Sequence, residues 1–110
     1  PYPPGGTTDI LTRLLGQKLG EAWGQQVIID NRAGASGNIG AEAVVRSPAD
    51  GYTLLSASTV HTVNPSLYSK LAYDPLKDFT PITLLAQVAN ILVVHPSLPV
   101  HSVKEFIAFA

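Results

Sequence analysis

The first half of the sequence alternates between amphipathic helical runs and short β-branched runs, and this alternation restricts the folds open to the chain. Apolar residues recur at helical spacing from Asp9 to Trp23. Val27-Ile28-Ile29 is too short and too β-branched for a helix and predicts a buried strand. A second helix is predicted from about Ser36 to Val45, followed by a strand over Tyr52–Ala57. This order predicts an α/β fold with a mostly parallel sheet flanked by helices.

Local signals indicate how the first two helices begin, end and face the interior. Thr7 or Thr8 is expected to N-cap the first helix, where Asp9 complements the helix dipole, and Gly24 is expected to end it. The residues expected to face inward are Ile10, Leu11, Leu14, Leu15, Leu19, Ala22 and Trp23 in the first helix, and Ile39, Ala43 and Val44 in the second.

The second half of the sequence has a different rhythm. A short helical turn is predicted over residues 64–68, and a surface loop over residues 73–79. Two further strand-like runs follow at Ile82–Ala86 and Asn90–His95, with no turn residue between them. Ser102 and Glu105 then form a capping-box pattern that opens a last helix.

Composition excludes several classes of function. The 110 residues are 45% hydrophobic and carry a formal net charge of −1, and the basic residues are scattered, which argues against nucleic-acid or anionic-membrane binding. There is no cysteine, so disulfides and thiolate metal sites are excluded. No apolar run reaches the length of a transmembrane helix. The three histidines share no metal-ligand spacing, and we expect no metal and no cofactor.

Three polar clusters follow predicted strands or open predicted helices, and parallel strands bring such clusters to one edge of a sheet. Thr7 and Thr8 lie in the first cluster, Ser36 and Asn38 in the second, and His61 in the third, Ser58-Thr59-Val60-His61. Helix N-termini offer free N–H groups, and glycine lets the backbone approach an anion. The sequence therefore predicts an anion-binding crevice, although tight strand-to-helix turns also explain glycine at these positions.

The glycine pattern favours a carboxylate over a phosphate. Gly34, Gly37 and Gly40 are spaced G-x-x-G-x-x-G rather than G-x-G-x-x-G, and neither loop carries a P-loop signature. No Lys or Arg lies within the first loop, whereas a doubly charged phosphate usually recruits a cation.

Catalysis has less support in the sequence. Ser36 lacks the G-x-S-x-G pattern of a nucleophile elbow. His61 could act as a base beside the crevice, but a ligand-facing or capping role is favoured. An enzyme of similar fold that uses His61 as its base on a carboxylate remains the alternative to a binding protein.

The segments PYPPGGTTD, VIIDNRAGASGNIGAE, SPADGYTLL, NPSLY, YDPLKDF and ILVVHPSLPVHSVKEF, in this order, resemble the periplasmic receptors of tripartite tricarboxylate transporters, also called Bug receptors. The resemblance covers essentially all 110 residues. It implies a type II periplasmic-binding-protein fold of two domains, a Venus flytrap, which captures a small carboxylate in the periplasm and delivers it to the membrane permease subunits. Such a receptor is not an enzyme; one that signals without transport is a third possibility.

The resemblance also implies a site and a domain division. It assigns ligand binding to Gly5, Gly6, Thr7, Thr8, Ala35, Ser36, Gly37, Asn38, Ser58, Thr59 and His61. Residues 1–88 would be part of domain 1 without its first strand, and residues 89–110 the crossing strand and first helix of domain 2. The chain is then expected to be an N-terminal fragment without its signal peptide, which exposes apolar surface. Such a fragment is expected either to be unstable alone or to self-associate through the unfilled position of the sheet.

Overall fold

A computed structural model describes all 110 residues of the chain. Its regular elements are helix α1 (Thr7–Trp23), a 3₁₀ turn (Ala35–Gly37), α2 (Asn38–Val45), α3 (Val60–Leu67) and α4 (Val103–Phe109). Both helices predicted in the first half are present, and α2 begins two residues later than predicted because the 3₁₀ turn precedes it.

The ends of α1 confirm one local prediction and correct another. Gly24 ends the helix with a φ of 64°, a left-handed conformation that glycine adopts without steric cost. The N-cap is Gly6, and no side chain caps the helix, so the prediction that Thr7 or Thr8 is the N-cap is wrong. Both threonines lie inside the first turn of the helix, and the Gly5 N–H of the preceding turn donates to Asp9 Oδ2.

Helix α1 packs through small residues rather than through its largest apolar side chains. A Cβ atom added at Gly16 would lie 3.0 Å from Ile29 Cδ1, and Thr12 Oγ1 donates to Ser56 Oγ at 2.7 Å. Ile29 and Ser56 therefore approach α1 closely at positions where the helix has small side chains. The predicted inward positions Ile10 and Leu14 are each 58% exposed, so this part of the predicted face is wrong. Trp23, expected to pack, is 59% exposed.

The predicted strands do not form β-ladders in the structure. Residues 27–29 and 52–57 both lie against α1, through Gly16 and Thr12, yet no main-chain hydrogen bond joins either segment to a neighbouring strand. A strand needs a hydrogen-bonded partner about 4.8 Å away, and neither segment has one. Residues 82–86 and 90–95 are exposed and also lack a ladder partner, so the predicted strands there are not observed either.

Only eight of the 110 residues are buried, which leaves much apolar surface open, as expected from the sequence. Ala41, Tyr73 and Val100 are the buried hydrophobic residues, and Asp9 and Asn64 are the buried polar ones. In α2 the buried positions are Gly40 and Ala41; Ile39, predicted to face inward, is 51% exposed, and Ala43 and Val44 are only half-buried. The small core therefore centres on the start of α2, next to the second glycine-rich loop.

The second half of the chain contributes α3 and α4. Helix α3 begins at Val60, four residues before the predicted turn, and ends at Leu67. Helix α4 has the predicted cap, because Ser102 Oγ accepts a hydrogen bond from the Glu105 N–H at 3.2 Å. None of the helices combines the length and the apolar character that crossing a membrane requires.

Candidate functional site

The first polar cluster, residues 5–8, is called loop 1 here and leads into α1. The N–H groups of Thr7 and Thr8 begin the helix, so they have no intrahelical acceptor and no side-chain cap. Thr7 is exposed and Thr8 half-buried. The N–H of Gly5 is already used, because it donates to Asp9 Oδ2 at 2.9 Å. Loop 1 therefore offers donors at the threonines rather than at Gly5.

Asp9 anchors loop 1 to the chain that leads into the second glycine-rich loop. Its side chain is nearly buried, pairs with the Arg13 guanidinium at 3.0 Å and accepts a hydrogen bond from Asn31 Nδ2 at 2.9 Å. Arg13, the Gly5 N–H and Asn31 together hold the pKa of Asp9 well below its usual range. Asn31 Nδ2 also donates to the Tyr2 carbonyl oxygen at 3.1 Å. Asp9 is thus an ionised structural link, with its oxygens occupied by the protein itself.

Residues 35–38, called loop 2, have an unusual backbone. Ala35 and Ser36 have φ values of 46° and 55°, in the left-handed region that costs a non-glycine residue about 1–2 kcal/mol. Gly37 follows with a φ of 88°, and a Cβ atom there would lie 3.0 Å from Tyr2 Cε1. The N–H groups of Ala35 and Ser36 precede the first hydrogen bond of the 3₁₀ turn and lie at exposed residues. Loop 2 therefore presents free main-chain donors and the Ser36 hydroxyl to the outside.

A set of polar side chains lies behind loop 2. Asn64, 1% exposed, donates through Nδ2 to the Ser36 carbonyl oxygen at 3.0 Å and to Asn38 Oδ1 at 2.7 Å. Tyr73 Oη donates to the same Asn38 Oδ1 at 2.7 Å. The hydroxyls of Tyr68 and Ser36 are paired at 3.0 Å. Loop 2 is thus bound to α3 and to the chain beyond it by four hydrogen bonds.

The third cluster, residues 58–61, is called loop 3 and leads into α3. Tyr2 Oη lies 2.7 Å from Ser58 Oγ and accepts a hydrogen bond from the Ser58 N–H at 3.3 Å. Thr59 is exposed. The His61 ring stacks on Tyr73 with centroids 5.6 Å apart and meets Phe79 edge-on at 5.0 Å. Burial lowers the pKa of His61, which favours the neutral ring at neutral pH.

The three loops are joined through Tyr2 and through α3. Tyr2 contacts Ser58 of loop 3, lies against the position of Gly37 in loop 2, and precedes loop 1 by three residues. Asn64 adds a direct link between α3 and loop 2. The structure thus brings together the predicted site residues of loops 2 and 3, and it joins loop 1 to them through the backbone of Tyr2 and through Asn31.

A cavity of about 540 Å³ lies beside the polar side chains behind loop 2 and includes His61, Tyr68 and Tyr73 in its wall. The two tyrosines reach loop 2 with their hydroxyl groups and line the cavity with their rings. A second cavity, of about 590 Å³, lies between α1 and residues 25–29, and no residue of the three loops lines it. Of these two cavities, the first therefore borders the candidate site.

The three loops offer neutral donors. The loops contain no Lys or Arg, and the arginines nearest in sequence are paired, Arg13 with Asp9 at 3.0 Å and Arg32 with Asp30 at 2.8 Å. No three His, Asp or Glu side chains come together as a possible metal site. Main-chain N–H groups, hydroxyls and an amide can hold a singly charged carboxylate directly or through water.

Sequence reasoning missed the residues that hold the loops from behind, namely Tyr2, Asn31, Asn64 and Tyr73. Asn64 had a usable signal, because His61, Asn64 and Tyr68 recur at helical spacing and share one face of α3 and its continuation. Tyr2 and Tyr73 had none, since their partners lie 56 and 35 residues away in the sequence.

Comparison with known proteins defines the class first. The model of the tripartite tricarboxylate transporter family receptor matches residues 11–110. Among curated proteins, BugT of Bordetella pertussis is 43% identical over 110 residues, which is 98% of this chain and 34% of that protein. A UPF0065 protein from the tcbD-tcbE intergenic region of Pseudomonas sp. is 43% identical over 94 residues, 86% of this chain and 28% of that protein. The chain belongs to the tripartite tricarboxylate transporter receptor family.

A solved structure gives the fold. R. palustris Rpa4515, determined with adipate, is 48% identical and superposes with a TM-score of 0.79 over 100% of this chain and 37% of that one. The predicted fold class, periplasmic-binding-protein-like α/β, is therefore confirmed, although the strands carry no ladders here. The chain spans about a third of the length of the relatives it matches, for example 34% of BugT.

Proposed function

We propose that the protein containing this chain is an extracytoplasmic receptor that binds a small carboxylate and delivers it to a tripartite tricarboxylate transporter. The ligand would be a dicarboxylate, a tricarboxylate or an amino-acid-like carboxylate. One observation carries the proposal: loop 2 exposes the N–H groups of Ala35 and Ser36 in a left-handed backbone, and the loop itself contains no Lys or Arg. Neutral donors of this kind suit a carboxylate better than a phosphate.

Family membership and one neighbour support the same ligand class. The chain belongs to a family of transporter receptors, and the solved structure that resembles it contains adipate. We propose loops 1, 2 and 3 as the contact surface, with the N–H groups of Thr7 and Thr8 facing one side of the carboxylate and loop 2 the other. Delivery implies a periplasmic location and the permease subunits as partners. Residues 1–88 would belong to the first domain, and residues 89–110 would open the second.

An enzyme that uses His61 as a base is less well supported. Neither ring nitrogen of His61 makes a hydrogen bond within the protein, whereas a general base usually has a partner that orients it. His61→Ala separates the two functions: a receptor keeps most of its affinity for the carboxylate, whereas an enzyme loses turnover.

A thermal-shift screen of the full-length protein against monocarboxylates, dicarboxylates and tricarboxylates tests the proposal. A ligand that binds only the native state at 100 times its Kd stabilises the protein by about 2.7 kcal/mol, which raises Tm by roughly 5 °C or more. We expect such a shift with at least one carboxylate and none with its neutral diamide. No shift with adipate, succinate, citrate or glutamate would contradict the proposal.

A further inference from the structure

A buried amide stands behind loop 2 and has only one orientation that satisfies its neighbours. Asn64 is 1% exposed, and one of its amide atoms faces the Ser36 carbonyl oxygen at 3.0 Å. A carbonyl oxygen can only accept, so the Asn64 atom on that side must be the amino group, Nδ2. The same Nδ2 donates to Asn38 Oδ1 at 2.7 Å.

The orientation of Asn64 fixes the orientation of Asn38. Asn38 Oδ1 accepts from Asn64 Nδ2 and also from Tyr73 Oη, each at 2.7 Å. Burial raises the pKa of Tyr73, so the phenol stays protonated and is able to donate. The Asn64 NH₂ group can only donate, so the Asn38 carboxamide cannot turn over without placing its own NH₂ group against that donor. Asn38 Nδ2 makes no hydrogen bond within the protein and is left as a donor at loop 2.

The same side chains hold the backbone of loop 2. Ala35 and Ser36 both lie in the left-handed region, which persists only where the surroundings impose it. Asn64 binds the carbonyl oxygen of Ser36, and Tyr68 binds its hydroxyl. Asn64 Oδ1 has no partner among the protein's own groups, and a buried unpaired carbonyl costs about 1–3 kcal/mol. The hydrogen bonds of Asn64 Nδ2 to Ser36 and to Asn38 both go to loop 2.

We propose that Asn64, together with Tyr73, is a positioning residue for the carboxylate site. The two side chains turn the Asn38 carboxamide so that its NH₂ group faces the ligand, and Asn64 keeps Ser36 in its left-handed conformation. This inference rests on the proposed function, since a carboxylate requires donors. With the Asn38 amide reversed, loop 2 would present a carbonyl oxygen, which repels a carboxylate.

The test is isothermal titration of the full-length protein with adipate, in a cycle of Tyr73→Phe and Asn38→Ala. Tyr73→Phe keeps the ring that packs on His61 and removes only the hydroxyl. We expect it to weaken adipate binding about five- to tenfold in the wild-type background, the worth of one hydrogen bond, and to have no further effect when Asn38 is already alanine. Tyr52→Phe is the matched control, because Tyr52 is 92% exposed and its hydroxyl makes no hydrogen bond within the protein.

Asn38→Asp is a second variant, which keeps the hydrogen bonds behind Asn38 and changes the group that faces the ligand. An aspartate can still accept from Asn64 and Tyr73 through one oxygen, but its other oxygen replaces the NH₂ donor with an anion. We expect the fold and Tm to be retained and adipate binding to fall at least a hundredfold. Retained adipate affinity in Asn38→Asp would overturn the inference, as would an equal effect of Tyr73→Phe in both backgrounds or no effect in either.

Failure of the proposed function is a distinguishable result. If the wild-type protein binds none of adipate, succinate, citrate or glutamate, that function falls, and a crystal structure of Asn64→Leu then tests the positioning role alone. We expect Ser36 to leave the left-handed region and the Asn38 amide to reorient. An unchanged loop 2 in that structure overturns the inference. If Asn64→Leu does not fold, the crystal structure of Asn64→Asp decides the same question through the φ angle of Ser36, because an aspartate oxygen cannot donate to the Ser36 carbonyl.

Discussion

Gly40→Ala in α2 is a sharp test of how loop 2 is supported, because helix propensity and packing predict opposite signs. Propensity alone favours alanine over glycine by about 1 kcal/mol. The added Cβ, however, would lie 2.6 Å from Pro1 Cα and 2.9 Å from the Arg32 carbonyl oxygen. Both are backbone atoms, so the chain itself must move, and overpacking of this kind costs about 1–3 kcal/mol. We expect net destabilisation of about 1–2 kcal/mol.

Gly16→Ala in α1 is the matched control. The nearest atom to its new Cβ is Ile29 Cδ1 at 3.0 Å, followed by Val27 Cγ1 at 3.3 Å. These are side-chain methyl groups that can rotate away, so the propensity gain survives and the change should be neutral or stabilising by up to about 1 kcal/mol. Urea unfolding of the full-length protein measures both variants. If Gly40→Ala is as stable as Gly16→Ala, the tight backbone contact at α2 is refuted.

Three further changes test other parts of the site. Gly37→Ala and Gly51→Ala both place alanine at a positive φ, 88° and 83°, so both should lower Tm. Only the Cβ at position 37 meets neighbouring atoms, so only Gly37→Ala should also weaken adipate binding. Equal adipate affinities of the two variants would contradict this. Burial lowers the pKa of His61 below 6.5, so the unfolded state binds the His61 proton at a higher pH than the folded state does. The free energy of unfolding in urea should therefore fall as pH is lowered from 7.5 to 5.5, and more in the wild type than in His61→Phe. Parallel pH profiles of the two proteins would contradict this. The pKa of Asp9 lies below 3.8 in the folded state, so the contribution of its charge to stability is present above pH 3.8 and is lost as pH falls further. The urea midpoints of the wild type and Asp9→Asn should therefore differ at pH 7 and converge in acid. A constant difference would refute the role of the charge.

The features predicted correctly are those whose sequence signals lie within a few residues of one another. The αL glycine at Gly24 and the capping box at Ser102 and Glu105 depend on adjacent residues, and both are observed. The exposure of Ile10 could not be predicted, because it depends on which elements cover α1. β-ladders depend on a neighbouring strand, so a β-branched run alone does not establish one.

The candidate site could also be predicted only in part from the sequence. The glycine-rich loops are visible in the sequence because glycine and small polar residues mark sharp turns before helices. The hydrogen bonds that fix loop 2 are not visible, since Asn64 and Tyr73 lie 26 and 35 residues beyond Asn38. Ligand binding by the eleven assigned residues, which are those of the three loops without Val60, stays a prediction.

The most direct test of carboxylate binding by these loops is a crystal structure of the full-length protein with the carboxylate that gives the largest thermal shift. We expect the carboxylate oxygens to lie at hydrogen-bond distance, about 2.7–3.2 Å, from main-chain N–H groups of loops 1 and 2 or from waters bound to them. A carboxylate bound elsewhere, with loops 1 and 2 empty of it, would contradict the account.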